Sequence, residues 1–378
     1  MRIAHIGPTS LPVGFVLGGA VERRILELAS AQAERGHRVC VFSLQPEGRD
    51  VDSLRDPLKD VSFVDVRCRT KRPARDLELL ARALPSLRSF APDVVHVHGN
   101  WAGAAVLRAI DAPKLLSMDF YEYRGSAGGP VRAMYRQALN SFDLLLPVSE
   151  YCARGAAAWW GLPSSSFKVL HNGVNVDHFK PDLERREAAR RSFGYGDEVV
   201  IGSIGRVCEQ KGSDVLVQAF RGVRGAYPGA ELLVAGPSGQ FGNTASSPLT
   251  DSIRTVGGTW LGAVPESRLA DVYRAVDVCV MPTRAYEMFG MVAAEALSSG
   301  TPVVCSSLGG LPEVVSETAG VLVPPGDPDA LAAVLLQLCN DPARRRVLAQ
   351  AARSSVARFS WPVIAEQSEG IYNRVRAR

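Results

Sequence analysis

The sequence lacks the features that would place the protein in a specialised class. No run of 18 uncharged apolar residues occurs in its 378 residues, and Met1-Arg2-Ile3 leads directly into a strand-like segment. We therefore expect neither a membrane-spanning helix nor a secretory signal. A hydrophobic fraction of 46% and a charged fraction of 22% exclude disordered, collagen-like and disulfide-scaffold chains. The length exceeds one ordinary core and predicts two domains.

Paired cysteines are lacking as well. The seven cysteines are odd in number, and no two have the C-x-x-C spacing of a zinc or redox site. We expect free, mostly buried thiols in a reducing compartment, without structural zinc. The sequence thus predicts a cytoplasmic protein.

A large excess of charge of one sign is also missing. The net charge of +4 is too small to demand a nucleic-acid partner. Residues 1–180 carry 23 basic against 18 acidic residues, and no aromatic residues interleave with the basic cluster among them, which disfavours single-stranded nucleic acid. This cluster is typical of a solvated loop or, alternatively, of a patch that attracts an anionic acceptor or an acidic membrane surface. Its members are Arg67, Arg69, Lys71, Arg72 and Arg75.

The first half of the chain shows an α/β pattern. Short apolar runs alternate with amphipathic stretches, which is typical of strand–helix–strand units in a parallel sheet. Helices are clearest over Val21–Arg35 and Leu77–Phe90, and the polar stretch 171–198 predicts a linker with one short helix. The predicted strands are Ile3–Ile6, Arg38–Leu44, Val61–Val66, Val94–Val97, Leu115–Met118, Leu144–Val148 and Lys168–Leu170.

The pattern restarts after the linker. Two doubly wound halves would place a ligand in the cleft between them, near the carboxyl ends of both sheets. The predicted strands are Val199–Ile204, Glu231–Ala235, Gly258–Leu261, Val278–Met281 and Pro302–Cys305. The predicted helices are Gly212–Tyr227, Glu266–Ala275, Gly290–Ser298, a helical region from Pro328 to about Ala357, and a last helix from about Pro362 to Ala377.

Two strand-to-helix turns carry candidate anion-binding groups. Gly18-Gly19 precedes the first long helix, where free N–H groups suit an anion, although glycines there are more often only a cap. Arg206 and Lys211 lie five positions apart after the strand that opens the second half, so they can converge on a diphosphate. The alternative is a solvated turn with two cations. The chain has no G-x-x-x-x-G-K-[ST] motif, which excludes a P-loop.

A third segment, residues 282–295, combines two carboxylates with a helix start. Glu287 falls in the loop after a predicted strand, and Gly290 opens the next helix, whose first amides would face a phosphate. Glu295 lies within an apolar run of that helix, where an unpaired carboxylate would be costly. A sugar or ribose hydroxyl would satisfy it. The alternative is a helix-terminus glutamate with a surface glutamate.

These segments occur in one order that resembles the family 4 retaining glycosyltransferases, which have the GT-B architecture. The resemblance rests on Asp93–His98, G-R-x-x-x-x-K-G at 205–212, E-x-F-G-x-x-x-x-E at 287–295 and Leu308–Glu313, and it covers almost the whole chain. It implies two Rossmann-like domains that face each other across a cleft. Residues 1–180 would bind the acceptor and 181–360 the donor, with the helix 361–378 crossing back to the N-terminal domain.

The resemblance also implies a donor site in the second half. Arg206 and Lys211 would hold the donor diphosphate, and Glu295 would bond the nucleotide ribose. Trp260 and Leu261 would border the base. No cofactor and no metal is implied, because fixed cations and helix N-termini stabilise the leaving diphosphate.

The sugar of the donor would have its own contacts. Glu287 would touch the sugar hydroxyls, and the amide of Gly19 would reach the diphosphate from the other domain. Backbone amides would close on the sugar and phosphates at Phe289, Gly290, Met291 and Val292.

Two positions depart from the family pattern. Members commonly carry a histidine after the strand that here reads Leu115–Met118, and this chain has Met118 or Asp119 there. We take Asp119 as the candidate replacement. Met288 stands where a small residue is usual, which predicts a narrower sugar pocket. His98 is a candidate acceptor-side group, and its alternative is a structural role.

The resulting hypothesis is a retaining, metal-independent glycosyltransferase that uses a nucleotide-diphospho-sugar, UDP-linked rather than GDP-linked, with same-face attack on the anomeric carbon. Its acceptor would be a natural-product precursor, or a lipid or polysaccharide intermediate with peripheral membrane contact. The arginine-rich composition favours the former by association alone. The alternatives are a sugar-nucleotide epimerase or phosphorylase on the same fold, and a non-catalytic sugar-nucleotide-binding protein.

Overall fold

The computed structural model describes residues 1–14, 19–45, 58, 60–71, 74–100, 104–120, 129–238, 247–285 and 287–377, with the backbone alone at 130 and 131. The chain forms two compact units, Met1–Gly173 with Trp361–Arg378 and Val174–Ser360. The first boundary thus precedes the predicted one at 180/181. The reason is that Val174 already belongs to the second unit, since its N–H donates to the carbonyl of Phe359 at 2.7 Å.

The first unit contains a parallel six-stranded sheet in the order β3-β2-β1-β4-β5-β6. Short, mostly apolar segments form these strands, and all six lie where the sequence predicted them. The seventh predicted strand, Lys168–Leu170, is wrong: only Phe167 forms an isolated bridge, with Leu145. The strands are β1 (Arg2–Ile6), β2 (Arg38–Leu44), β3 (Val61–Val66), β4 (Val94–His98), β5 (Lys114–Met118) and β6 (Leu144–Pro147).

Helices cover this sheet, and the last helix of the chain belongs to the same unit. Helix α14 (Trp361–Arg376) packs on α1 (Ala20–Glu34) around buried Tyr372. Gly173 leaves room for Trp361, because a Cβ there would lie 2.3 Å from the indole. The others are α2 (Ala74–Phe90), α3 (Ala104–Leu107), α4 (Gly129–Leu139) and α5 (Glu150–Trp160).

The second unit repeats this plan. Its parallel sheet has the order β12-β11-β10-β7-β8-β9. The sequence predicted five of these strands and missed the last, β12, a short strand that opens with glycine. The strands are β7 (Val199–Ile204), β8 (Ala230–Ala235), β9 (Thr259–Trp260), β10 (Val278–Met281), β11 (Val303–Ser306) and β12 (Gly320–Val323).

Apolar side chains of α7, α8, α12 and α13 form one buried cluster with strands of this sheet. The polar stretch predicted as a linker contains the one short helix expected, α6. The helices are α6 (Leu183–Ser192), α7 (Ser213–Ala226), α8 (Pro248–Thr255), α9 (Glu266–Ala275), α10 (Met291–Ser298), α11 (Leu311–Val314), α12 (Pro328–Asn340) and α13 (Pro342–Ser355).

Both sheets reverse their strand order at one place. In the first unit the order runs outward in both directions from between β1 and β4, and in the second from between β7 and β10. Loops at the carboxyl ends of such strand pairs diverge and leave a crevice where α/β proteins bind ligands. This topology singles out the loops after β7 and β10, and after β1 and β4.

The cysteines are free, and five of the seven are buried, as the sequence predicted. Burial raises the pKa of Cys40 to about 11 and that of Cys279 to about 12, so neither thiol is reactive at neutral pH. Among the described residues, no helix is long and apolar enough to cross a membrane.

Candidate functional site

Two loops meet at the reversal point of the second sheet. The loop after β7 contains Arg206 and Lys211, and the loop after β10 contains Glu287. The loops touch at Gly212, where a Cβ would lie 1.9 Å from the carbonyl oxygen of Pro282, and φ is +73°. A side chain at position 212 would therefore force the loops apart.

Arg284 fastens the same two loops. Its N–H donates to the carbonyl of Gln210 at 3.0 Å, and its guanidinium pairs with Asp214 at 2.7 Å. These contacts join residues about 70 positions apart in the chain. They fix the separation of the loops that hold the candidate site residues.

The candidate cations differ in their partners. The Lys211 ammonium forms an ion pair with the Glu287 carboxylate at 2.6 Å, and both side chains are largely buried. Half-buried Arg206 has no ion pair or hydrogen bond with any residue that the structure describes. The site thus holds one balanced pair and one uncompensated positive charge, an arrangement that suits an incoming anion.

Helix α10 begins beside Glu287, as predicted. Gly290 is its N-cap with φ +104°, and a Cβ there would lie 2.6 Å from the side chain of Leu311. The first intrahelical bond runs from Ala294 N–H to the Gly290 carbonyl, so the amides of Met291 and Val292 have no acceptor within the helix. Phe289 is buried against Phe359 and anchors this start. Amides placed in this way make a helix N-terminus favourable for phosphate.

A glycine pair supports the Glu287 loop from behind. The N–H of Gly310 donates to the Glu287 carbonyl at 2.9 Å. A Cβ on Gly309 would lie 1.9 Å from that same carbonyl oxygen, and one on Gly310 would lie 2.3 Å from the carbonyl oxygen of Met288. The Met288 side chain itself is buried. The segment 308–313, known from the sequence only as part of the resemblance, therefore shapes the loop of Glu287.

Glu295 is buried, and it has a partner that sequence reasoning missed. The hydroxyl of fully buried Tyr273 donates to its carboxylate at 2.6 Å. Tyr273 lies on α9, 22 positions before Glu295, and no motif marks it. The tyrosine orients the carboxylate and gives one of its oxygens a hydrogen bond. This bond reduces the free-energy cost of burying Glu295, the cost that drew attention to this residue in the sequence.

Trp260 ends β9, which pairs with β8 at the edge of the sheet, and Leu261 follows it. The indole N–H of Trp260 donates to the Gly236 carbonyl at 2.8 Å, and the Arg254 guanidinium lies 5.2 Å from its ring centre. The polar atom of Trp260 is thereby used inside the protein. This hydrogen bond holds the turn after β8, so a nucleotide base could contact only the face of the Trp260 ring.

In the first unit, the candidate residues Gly19 and Asp119 are bonded to other residues of the same unit. The N–H of Gly19 donates to the Glu22 carboxylate at 2.8 Å and caps α1, so this amide is engaged. Burial raises the pKa of Glu22. Asp119 follows β5 and pairs with fully buried Arg24 at 3.2 Å. Gly18 lies outside the described residues.

His98 ends β4 as part of the strand, rather than lying in a loop, and it is fully buried among two other histidines. Its Nε2 lies 3.0 Å from Nδ1 of His5, and the centre of the His96 ring lies 4.1 Å from the centre of its own, with the rings tilted by 30°. The sequence predicted no such cluster. His5 also bonds to Gln32, and His96 bonds to Tyr372 and Ser117.

This histidine cluster is electrically neutral at physiological pH. Burial lowers the pKa of His5 to about 4 and those of His96 and His98 well below their usual value, and the nearby Arg24 charge adds to the effect. The three rings form the one group of potential metal-ligating side chains within the described residues. Both nitrogens of His5 and His96 are hydrogen-bonded within this buried polar network, whereas Nδ1 of His98 is buried and has no hydrogen-bond partner among the described residues.

Comparison with known proteins identifies the fold family to which this architecture belongs. Residues 17–178 match the family model described as Glycosyltransferase Family 4, and residues 198–341 match the model described as Glycosyl transferases group 1. The crystal structure of Anabaena HepE in complex with UDP superposes with a TM-score of 0.80 at 20% identity, covering 99% of this chain and 100% of that one. The fold is therefore that of the GT-B glycosyltransferases, as predicted.

Two relatives show how far the sequence similarity extends along the chain. The D-inositol 3-phosphate glycosyltransferase of Xylanimonas cellulosilytica is 31% identical over 420 residues, covering 100% of this chain and 97% of the relative. The GDP-mannose-dependent monoacylated alpha-(1-6)-phosphatidylinositol monomannoside mannosyltransferase of Corynebacterium glutamicum is 32% identical over 249 residues, or 64% of each chain. Several matches thus span only 52–64% of the relative's length.

Proposed function

Because this chain belongs to the family 4 glycosyltransferases, we propose that it transfers a sugar from a nucleotide-diphospho-sugar to a hydroxyl group of an acceptor. The observation that carries the proposal is the charge arrangement at the reversal point of the second sheet. There a guanidinium without a partner among the described residues, an ammonium and the start of α10 occupy neighbouring loops. We propose a UDP-linked donor, since the similar HepE structure contains UDP.

The donor diphosphate would bind Arg206, Lys211 and the first amides of α10. A diphosphate supplies the negative charge that Arg206 lacks in the structure described. Its arrival would also draw Lys211 from Glu287, because a phosphate oxygen competes with the carboxylate for the ammonium. These fixed positive groups would stabilise the leaving nucleoside diphosphate in place of a metal ion.

The freed Glu287 carboxylate would then accept hydrogen bonds from the sugar hydroxyls. Glu295, held by Tyr273, would accept from the ribose. Both are charge-assisted hydrogen bonds, which are stronger than neutral ones. The proposed chemistry is retention, with the acceptor attacking from the face that the diphosphate leaves and a leaving-group oxygen taking the acceptor proton.

The acceptor is proposed as a hydroxyl-rich molecule, either a soluble polyol or natural-product precursor or a lipid-linked intermediate. The names of the two relatives support a polyol phosphate and a glycolipid respectively. GDP-mannose is the second candidate donor, on the name of the mannosyltransferase. A cytoplasmic location remains a prediction, as does contact of Gly19 with the diphosphate.

A non-catalytic sugar-nucleotide-binding protein is the alternative with structural support. Asp119 occupies the region where the family carries a histidine, and it is paired with Arg24. A carboxylate neutralised in this way is a weak substitute for an imidazole in contacting substrate. The epimerase alternative differs from transfer in needing no acceptor.

The test begins with nucleotide sugars containing UDP, GDP, dTDP and ADP in a thermal-shift screen. A donor at about 100 times its dissociation constant should stabilise the protein by about 2.7 kcal/mol. Transfer to a set of polyol and lipid acceptors is then followed by release of nucleoside diphosphate, with and without EDTA. We expect transfer that EDTA leaves unchanged and no product from donor alone.

Glu287→Gln tests whether the Glu287 carboxylate takes part in transfer. Glu209→Gln, an exposed position on the facing loop, is the matched control for the loss of one negative charge. We expect Glu287→Gln to bind donor and to lose about 100-fold or more in turnover, the effect typical of one transition-state contact. Equal turnover in the two variants removes Glu287 from the mechanism. Stabilisation by none of the nucleotide sugars overturns the proposed function itself.

A further inference from the structure

A cleft opens at the edge of the first sheet where its strands begin, opposite to the loops at the reversal point. Its volume is about 450 Å³, within the range of pockets that hold small molecules. The ends of α2 and α14 and the turn after α3 meet there with the starts of β1, β4 and β5. All its lining residues belong to the first unit, and the proposed sugar transfer assigns no role to this edge.

Three guanidinium groups line this cleft. Arg2 opens β1, Arg88 lies in the last turn of α2, and Arg376 lies in the last turn of α14. The carbonyl end of a helix favours a basic residue, which accounts for one cation at each helix end. It does not account for Arg2, nor for the convergence on one cleft of three cations from distant parts of the chain.

Carboxylates of the protein compensate these cations only in part. The Asp93 carboxylate accepts from the Arg2 backbone N–H at 2.7 Å and pairs with the guanidinium groups of Arg2 at 3.8 Å and Arg376 at 3.4 Å. The N–H bond and the two arginine charges lower the pKa of Asp93, so this carboxylate is ionised at neutral pH. Arg88 has no ion pair or hydrogen bond with any described residue. One carboxylate thus serves two guanidinium groups, and the third guanidinium is free for an external anion.

The rest of the lining combines one carboxylate with an apolar wall. Asp111 is exposed and has no ion pair or hydrogen bond within the part of the chain that the structure describes, so it can accept from a ligand hydroxyl. None of the described lining residues is aromatic, which disfavours a nucleotide whose base would stack. The apolar wall consists of Ala91, Pro92, Ala109, Ile110, Ala112 and Pro113.

The backbone beside Arg88 is strained. Ala91 has a φ of +48°, and among the described residues it is the one with a positive φ that is not glycine. A side chain disfavours this left-handed conformation, which glycine usually adopts after a helix. The turn at Ala91 ends α2 and leads the chain from Arg88 to Asp93 along the wall of the cleft. Strained backbone of this kind is often found at binding sites.

We propose that this cleft binds the phosphate monoester of a small polyhydroxylated molecule. Arg88 would bind the phosphate with its uncompensated charge, and Arg2 and Arg376 would add donors from the opposite wall, since guanidinium groups match the geometry of phosphate oxygens. Asp111 would accept a hydrogen bond from a hydroxyl of the same molecule. The site goes beyond the proposed transfer and does not rest on it, because the donor diphosphate is proposed to bind in the second unit.

Calorimetry with sorbitol 6-phosphate at about 0.15 M salt tests the proposal without any nucleotide sugar. Sorbitol and inorganic phosphate are the comparison ligands. We expect sorbitol 6-phosphate to bind, inorganic phosphate to bind more weakly and sorbitol not to bind. Arg88→Gln should weaken the binding of sorbitol 6-phosphate about 10- to 100-fold, the effect of losing a hydrogen bond to a charged group. Arg154→Gln removes the same charge from an exposed position of α5 outside the cleft and should bind like the unaltered protein.

Hydrogen exchange then locates the bound molecule. With sorbitol 6-phosphate we expect slower exchange in peptides covering residues 88–93 and 109–114, and no change in peptides covering 205–212. Slower exchange confined to 205–212 overturns the proposal, because the phosphate would then occupy the candidate donor loops. An equal loss of affinity in Arg88→Gln and Arg154→Gln, or no binding of sorbitol 6-phosphate, overturns it as well. None of these results decides the proposed transfer, which the nucleotide-sugar screen tests separately.

Discussion

Acidification should unfold the first unit selectively, because its buried histidines cannot be protonated in place. The pKa of His5 is lowered to about 4, and those of His96 and His98 are lowered well below 6.5, the value expected in the unfolded chain. Below pH 6.5 the unfolded state therefore binds protons that the folded state does not. Their stabilising effect is complete above pH 6.5 and is lost as the pH falls below it.

The magnitude follows from proton linkage. One pKa unit corresponds to about 1.4 kcal/mol, so the shift of His5 alone represents about 3 kcal/mol at pH values below 4. While all three histidines stay neutral in the folded state, the free energy of unfolding falls by about 4 kcal/mol per pH unit. For His5 alone the loss at pH 5 is about 2 kcal/mol, and His96 and His98 add to it in the same direction.

Hydrogen exchange at pH 8, 7, 6 and 5, in the presence of urea, separates the two units. Peptides covering β1 and β4 report the cluster, and peptides covering β7 serve as the internal control. His98→Gln should reduce the slope of opening free energy against pH by one proton, about 1.4 kcal/mol per pH unit, whatever it does to stability at pH 8.

Two results would refute this reasoning. One is a slope that His98→Gln leaves intact, because the proton uptake would then belong to other groups. The other is an equal loss of protection in the β7 peptides, because acid would then act on both units. If His98→Gln lowered the opening free energy equally at every pH, without changing its slope against pH, the result would show only that the His98 side chain contributes to packing.

The other predictions concern the second unit. Tyr273→Phe removes the 2.6 Å hydrogen bond to buried Glu295, and we expect unfolding in urea to show a loss of about 1.5–3 kcal/mol. Calorimetry should then show weaker donor binding, whereas unchanged affinity would separate Glu295 from the ribose. Gly309→Ala places a Cβ 1.9 Å from the Glu287 carbonyl at φ +65°, so donor affinity should fall well below that of Gly326→Ala, which has a similar φ and open space around it. Equal affinities would contradict a supporting role for Gly309.

The strands were predictable because parallel strands buried on both faces are continuous apolar runs. Val278–Met281 shows this directly, since it was predicted from its sequence and forms a strand; Val94–Val97 behaves in the same way although it contains buried His96. Lys168–Leu170 was wrongly predicted as a strand because its residue types are common in strands. It runs beside β6 and donates to it twice, but its neighbour Pro147 has no N–H to return. A pairing partner is a tertiary property, and local residue preference does not contain it.

The candidate site was predictable in its residue types and not in its contacts. Strand ends, glycines and spacing identified Arg206, Lys211, Glu287 and Glu295. The Lys211–Glu287 pair joins positions 76 apart, and Tyr273 is an ordinary apolar-face residue of α9 until the fold brings it to Glu295. Such contacts depend on which loops share a sheet edge, which the strand order decides.

The same strand order makes the difference between the two units informative. Each sheet offers loops at its reversal point, so topology alone would allow an anion at either. In the first unit the charged groups there already have partners, since Arg24 pairs with Asp119 and Glu22 accepts from the amide of Gly19. In the second, Arg206 has no partner among the described residues. An uncompensated, half-buried guanidinium is costly unless a ligand completes it. That asymmetry favours the second unit as the place of the proposed donor diphosphate, and Arg206→Ala should weaken donor binding more than Arg24→Lys.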